Sequence, residues 1–427
     1  MQPATIVLLV TFIGVVGVGT LFWSSAGIIR AISGALRRVP DGYRPAINKG
    51  SVAIVIAAHN EELVIEKTLA SAMAQVPCGQ IYVASDGSSD ATTELAISRG
   101  ANVLDLNPNR GKAGAIVAAI KYFDLIDRYD VVMLLDADTV LADDYLDSGL
   151  PLFDDPEIVA VAGRASTIFS PAPETLIGRI LVTYRQRVYI AVQYLLKYGQ
   201  ASRLVNVVSI VPGFASMYRT RVVGSIDIDA PGLSIEDYNM TFEIHAKSLG
   251  RIAFNPRAAI AHTQDPDTLH EYSKQVQRWS LGFWQTLLRH GWRARVFFLV
   301  TWLSVIELLI ACLMLVITPP VALLSEVSGL FVSWGWDTTG SLLAFSTLLP
   351  GWVLILGIFV PDIALSMATA VLARNARFLW YAPVFPLLRV LDAVLCLVAF
   401  RRALGGSSSG VWQSPQRRAA VPQKDSI

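Results

Sequence analysis

Apolar residues along this chain fall into two long unbroken blocks and, between them, a set of short runs spaced by polar stretches. A helix needs about 20 apolar residues to cross a bilayer. Residues 4–29 meet that length, with Ile6-Val7-Leu8-Leu9-Val10 and Ile13-Gly14-Val15-Val16 and no charge, and predict one spanning helix. The second block divides into 296–318, 341–372 and 378–400, three further candidate spans.

Between the blocks the period changes. Val52-Ala53-Ile54-Val55-Ile56-Ala57 is a run of buried-strand type, followed by a helical stretch over 60–74. The pattern repeats as Ile81-Tyr82-Val83-Ala84 with a helix over 90–99, and as a strand over 102–106 with a helix over 111–123. A fourth strand is predicted over 131–135. Strands alternating with helices at this spacing predict an α/β domain whose parallel sheet is covered on both faces.

Composition agrees with membrane blocks: 53% of the residues are hydrophobic, 16% are charged, and the mean hydropathy is +0.49. That is too apolar for an ordinary soluble enzyme. The net charge of +1 leaves no footprint for nucleic acid. Met1-Gln2-Pro3 lacks the positive start of a signal peptide, so the first block is expected to stay as an anchor. Arg30, Arg37 and Arg38 follow it and predict that the α/β domain is cytosolic. The stretch 325–340 has Glu326 and Asp337 but no Lys or Arg, and is expected outside, with Arg374 and Arg377 inside. Three full crossings would then leave Arg401, Arg402, Arg417 and Arg418 outside, against the charge rule, so one segment is expected to be re-entrant or interfacial. The predicted units are an anchor over 1–38, a domain over 39–292, a membrane region over 293–403 and a disordered tail over 404–427. Cys78, Cys312 and Cys396 lack metal-ligand spacing and read as inert thiols.

Ligands bind parallel sheets beyond the carboxyl ends of their strands. Those ends read His59-Asn60-Glu61-Glu62, Ser85-Asp86-Gly87, Asn109-Arg110-Gly111-Lys112 and Asp136-Ala137-Asp138. Asp86 can accept hydrogen bonds from a base or ribose, or simply serve a turn before Gly87. Lys112 opens a helix, where its charge and the helix N-terminus favour phosphate; a solvated lysine is the alternative. Asp136 and Asp138, two apart on an extended chain, point to one side and suit Mg²⁺ or Mn²⁺ shared with phosphates. Residues 174–198 carry apolar side chains at helical spacing with Arg179, Arg185, Arg187 and Lys197. They read as an amphipathic helix on a membrane surface or one packed on the sheet. Glu236-Asp237 precedes a helix over 238–248; Asp237 caps it or acts as a general base. Gln275, Arg278 and Trp279 share one helix face, suited to stack a sugar and neutralise a diphosphate, or to anchor a membrane interface. His245 and His262 read as surface or capping residues. Asp362, Arg389 and Asp392 lie in apolar segments, where charges are usually paired or cavity-facing; Arg389 and Asp392, three apart, are expected to pair or to line a polymer path.

In order and spacing, Asn60-Glu61, Asp86, Gly111-Lys112, Asp136-x-Asp138, Glu236-Asp237 and Gln275-x-x-Arg278-Trp279 resemble the motif series of membrane-integrated family 2 glycosyltransferases, over residues 51–292. Members include synthases of poly-N-acetylglucosamine, hyaluronan, chitin and cellulose. The resemblance implies a GT-A-type fold, a UDP-sugar donor with UDP-N-acetylglucosamine favoured, a divalent cation and inversion at the anomeric carbon. By position it implies donor contacts from Asn60, Glu61, Asp86, Lys112 and Asp136, and a metal site at Asp136 and Asp138. It implies the base at Asp237, and acceptor or diphosphate contacts from Glu236, Gln275, Arg278 and Trp279. Ala57 and His59 stand where Pro and Tyr are common, and Ile235 where Thr is frequent. One helix is expected before the domain, where several synthases have two.

The expected activity is hexosyl transfer to a growing β-linked polysaccharide, with export through the chain's own membrane segments, at the plasma membrane and with a possible accessory membrane subunit. Single-sugar transfer to a lipid, as in ceramide glucosyltransferases, is the alternative acceptor chemistry. A catalytically silent subunit is disfavoured because every acidic motif residue is present.

Overall fold

The computed structural model describes residues 3–35, 45–337 and 339–405. Arg37, Arg38, Arg417, Arg418 and the tail beyond Gly405 lie outside them. Ten strands form two sheets: β1 Val52–Ala58, β2 Ile81–Asp86, β3 Asn102–Leu106, β4 Val131–Asp136, β5 Val140–Leu141, β6 Ile158–Ala162, β7 Arg164–Thr167, β8 Ala215–Arg219, β9 Arg251–Ala253 and β10 Ile260–Thr263. The main sheet runs β3-β2-β1-β4-β8-β6-β9. Its first four strands are parallel, as their spacing predicts. The departure is β8, antiparallel to both β4 and β6. The resulting sheet is mostly parallel.

Every residue of β1 is buried. Val52, Ile54, Ile56 and Ala58 enter one core, while Ala53, Val55 and Ala57 enter a second on the opposite face. Alternate side chains of one strand therefore fill both layers. This explains the continuous apolar run in the sequence.

The first helix after β1 is Ile65–Met73, several residues later than its periodicity suggests. Asn60 has φ 54°, and its side chain accepts from the Ser89 amide at 2.8 Å. The Glu61 amide donates to the Thr92 hydroxyl at 2.8 Å. These bonds hold 60–62 as a loop against the end of β2. The helices Thr92–Ser98 and Gly111–Tyr122 follow their predicted places. A small second sheet, β5-β10-β7, was not legible in the pattern because its strands have two to four residues.

The N-terminal block forms two helices, Pro3–Val16 and Val18–Ala35, bent by 66°. Gly17, at φ 83°, supplies the left-handed residue of the break. Both Glu307 oxygens accept from the Gly19 amide, at 2.8 and 3.0 Å, and satisfy the start of the second helix. One straight spanning helix is thus replaced by a broken pair.

Val296–Ser333, Ser341–Ala373 and Ala382–Leu404 are long and apolar enough to cross a membrane, and the broken pair together is a fourth candidate. They carry the exposed apolar side chains expected of lipid-facing helices, Leu303, Ile310, Ile317, Leu356 and Val398 among them. The first of the three continues past Pro319 and Pro320 to Ser333, so much of the predicted loop over 325–340 is helix.

The expected Arg389–Asp392 pair does not form. Asp362 receives both Arg187 nitrogens, at 2.8 and 3.1 Å, and Arg389 at 3.4 Å. Asp392 instead accepts the hydroxyls of Tyr184 at 2.9 Å and Tyr272 at 2.8 Å. Arg187 and Asp362 are both fully buried, so neighbouring elements, rather than the next turn of the same helix, satisfy these charges. The helix Leu176–Ile190, continued by a π-helical turn over Ala191–Lys197, lies where these elements meet. Leu181 and Tyr184 pack with Tyr272, Ala382 and Phe385, and Arg185, Arg187 and Lys197 are buried. Arg185, Arg187 and Lys197 therefore face protein rather than an open membrane surface, while Arg179 stays exposed.

Candidate active site

The carboxyl ends of β1, β2 and β4 lie side by side, because Ala57 pairs with both Ala84 and Asp136. Asp86 ends β2 fully buried. One carboxylate oxygen accepts from the Arg110 amide at 2.7 Å; the other is buried with no partner among the described residues. Burial raises its pKa, and the amides of Arg110 and Gly111 oppose that rise. A buried acceptor left open at a strand end suits a ligand N–H or O–H.

Lys112 joins the other motifs. Its ammonium lies 2.7 Å from Asp136 and 2.9 Å from Glu236. Burial disfavours its charge, but the two carboxylates outweigh that and hold its pKa above the ordinary lysine value. Burial likewise opposes the charge on Glu236, and Lys112 more than compensates, keeping its pKa low. Asp136 is raised by burial and by neighbouring Asp138, despite Lys112. The alternative reading of Lys112 as a solvated lysine does not hold, because the side chain is half-buried and paired with both carboxylates.

Asp237 starts the helix Asp237–Ala246, the predicted element beginning one residue early. Its carboxylate accepts from the Tyr238 amide at 2.8 Å and from the Gly213 amide at 3.2 Å. Burial and the adjacent Glu236 push its pKa up to about 6, against Lys112 and the two amides. Gly213 is needed here for space. A Cβ on it would come within 2.9 Å of Glu236, 3.1 Å of the Lys112 ammonium and 3.5 Å of Asp237.

Gln275, Arg278 and Trp279 lie on the helix Leu269–His290. Arg278 is exposed and near enough to Glu236 to favour its charged form. Trp279 is half-buried. The same helix meets the loop before Asp237 two turns before its own end: a Cβ on Gly282 would collide with the Ile235 side chain, and Gln285 accepts from the Ser234 amide at 2.9 Å. The acidic motifs and the Gln-Arg-Trp face are thus held by one local framework.

Asn60 follows the end of β1, its side-chain oxygen accepting from the Ser89 amide, and Glu61 is buried beside it. His245 and His262 fall away from this cluster, whereas His59 lies 2.7 Å from the Asp86 carbonyl. His245 stacks on Phe297 at 3.9 Å and approaches the Val208 carbonyl, and His262 lies on β10.

Among the described residues, no three His, Cys, Asp or Glu side chains converge to hold a metal ion by themselves. Asp136 and Asp138 together offer hard oxygen donors on one edge. That set suits a cation whose remaining coordination comes from diphosphate oxygens and water.

Two residues were not singled out by sequence reasoning. Lys197 is buried, 5.3 Å from the Phe254 ring centroid, with its pKa lowered to about 8 by burial despite Asp237. Arg185 lies beneath Trp279 with its guanidinium 4.6 Å from the ring centroid. Helical spacing marks both as part of a basic helix, but it does not reveal which cations turn inward.

Residues 49–282, more than half of the chain, match the sequence model described as Glycosyltransferase like family 2. The chain belongs to this family. Two curated relatives of this glycosyltransferase carry the name poly-beta-1,6-N-acetyl-D-glucosamine synthase. That of Staphylococcus aureus (strain COL) is 28% identical over 280 residues, covering 63% of this chain and 64% of that protein. That of Staphylococcus epidermidis is 27% identical over 250 residues, 56% of each. The chain therefore spans less than two thirds of the length of these relatives. Among solved structures, a mannosyltransferase from Pyrobaculum calidifontis, in complex with GDP-Man and Mn²⁺, matches with a TM-score of 0.52 at 16% identity, covering 92% of this chain and 99% of that one. The glycosyltransferase domain has the GT-A-like, mostly parallel α/β fold, followed by three helices apolar enough to span a membrane.

Proposed function

We propose that this glycosyltransferase transfers N-acetylglucosamine from its UDP donor to a growing β-linked polysaccharide, with inversion, at the cytosolic face of the plasma membrane. The observation that carries the reading is the Lys112 bridge between Asp136 and Glu236, which draws the donor-side carboxylate and the Asp237 loop into one site. The polymer class is supported by the poly-beta-1,6-N-acetyl-D-glucosamine synthases among its relatives. A resident Mg²⁺ or Mn²⁺ is supported by the Asp136-x-Asp138 oxygen pair and by the Mn²⁺ of the mannosyltransferase relative in fold.

In this reading the open oxygen of Asp86 accepts from the uracil or ribose of the donor. Asp136 and Asp138 would hold the divalent cation, which would supply charge neutralisation for the donor diphosphate when bound. Asp237 takes the proton of the acceptor hydroxyl, whose oxygen attacks the anomeric carbon from the face opposite the diphosphate. The bond from that carbon to the diphosphate oxygen breaks, and UDP leaves with the electron pair. Arg278 and Lys112 stabilise the charge released on the leaving group. A carboxylate with a pKa of about 6 is largely ionised at neutral pH yet basic enough to accept the proton. Trp279 stacks the acceptor ring. The polymer leaves through the chain's own membrane segments, alone or with an accessory membrane subunit.

The test is Asp237→Asn in the detergent-purified chain, followed by transfer from radiolabelled UDP-N-acetylglucosamine and by UDP binding. Transfer should fall by about 10²–10⁴-fold with UDP affinity nearly unchanged. Substantial residual transfer would remove Asp237 as the base.

A further inference from the structure

Arg185 is 5% exposed and lies on the helix Leu176–Ile190, outside the acidic motifs. Its guanidinium meets three side chains of the helix Leu269–His290. It lies 4.8 Å from the Tyr272 ring centroid and 4.6 Å from that of Trp279, and donates to Gln275 Oε1 at 2.9 Å. Those residues, at i, i+3 and i+7, line one helix face. On its far side, Arg185 Nε is 3.8 Å from Asp265, a buried carboxylate. Asp265 is itself held by the hydroxyls of Thr167 at 2.7 Å and Tyr189 at 2.8 Å. Tyr272 donates its hydroxyl to Asp392, which fixes the upper end of the face to the last membrane helix.

Two chemical consequences follow. Guanidinium has only donors, so it fixes the Gln275 amide with its oxygen inward and its NH₂ group free to donate elsewhere. A planar cation under an aromatic ring also sets the plane of that ring, which an ammonium does not do equivalently. One buried side chain thereby governs both the hydrogen-bonding sense of Gln275 and the tilt of Trp279.

We propose that Arg185 is a positioning residue for the acceptor sugar, orienting Gln275 and Trp279 as a preformed docking face. The proposal rests on reading that face as the acceptor site. It predicts that Arg185 acts on acceptor saturation and leaves donor saturation alone.

The experiment is steady-state transfer by the full chain in detergent, varying UDP-N-acetylglucosamine and a β-1,6-linked N-acetylglucosamine oligosaccharide separately. Arg185→Lys keeps the charge facing Asp265 and loses the planar stack. It should raise the acceptor KM by about 10-fold with the donor KM unchanged, in line with a desolvated cation–π contact and a lost charged hydrogen bond. If Arg185 serves only to satisfy Asp265, lysine rescues it and the acceptor KM stays at the wild-type value, which overturns the proposal. Equal rises in both KM values also overturn it. Should Arg185→Lys fail to fold, Asp265→Asn removes the buried charge facing Arg185 and should raise the acceptor KM by about 3-fold through the network that holds it; no change there is equally contrary. Trp279→Ala separates the two levels of the argument. If it leaves the acceptor KM unchanged, the acceptor reading of this face fails. If it raises that KM while Arg185→Lys and Asp265→Asn do not, only the positioning role falls.

Discussion

At the scale of single residues, the site is a balance of buried charges around Lys112. Asp237 sits at the edge of that balance, with a pKa of about 6 set first by burial and then by Glu236. As a base it must be unprotonated, so kcat/KM should fall tenfold per pH unit below about 6 and level off above it. The sign for stability is opposite. A carboxyl group whose folded pKa is raised binds its proton more tightly in the folded state, so its contribution is present at low pH and lost as pH rises through about 6. A pH–rate profile with no acid limb in that region would contradict the assignment. The sequence placed Asp86, Asp136 and Asp237 at strand and helix ends because that placement follows from period and turn residues. It left Lys112 ambiguous between phosphate ligand and surface lysine, since only the tertiary approach of Glu236 decides how buried it is. At Asn60 the motif is read from the sequence, but the bond from the Ser89 amide to its side-chain oxygen and its positive φ are invisible to pattern reading.

At the scale of elements, the strands of the parallel half and the helices after β2 and β3 were legible within about two residues, whereas the helix after β1 begins only at Ile65. What escaped was set by partners far away in sequence. The antiparallel direction of β8 and the short β5, β7 and β10 have no periodicity of their own to read. The N-terminal bend turns on Gly17 together with Glu307, nearly three hundred residues apart. The basic helix Leu176–Ile190 is amphipathic as its spacing predicts, but it joins the catalytic domain to the membrane helices through Arg187 and Asp362. Arg187→Ala removes the two-nitrogen contact and leaves Asp362 only Arg389, at 3.4 Å. Breaking a buried pair on one side costs about 3–5 kcal/mol, so thermal unfolding in detergent should shift down by several degrees. An unchanged melting temperature would show that this junction contributes little to holding the molecule together.

At the scale of the whole molecule, a family 2 glycosyltransferase domain is bracketed by apolar helices and bound to them through charged and hydroxyl side chains. Asp392 receives hydroxyls from both the helix Leu176–Ile190 and the helix carrying the Gln-Arg-Trp face, so that face is fastened to the last candidate membrane helix. That arrangement suits an acceptor delivered from or into the membrane plane. The helix carrying that face packs along the last of the three candidate spanning helices. The most direct measurement is product length. The purified chain is supplied with radiolabelled UDP-N-acetylglucosamine and Mg²⁺ or Mn²⁺, and its products are sized before and after treatment with a β-1,6-specific N-acetylglucosaminidase. The account predicts long, glycosidase-sensitive chains. A product carrying one sugar on a lipid, or no use of this donor alongside efficient use of another, would contradict it.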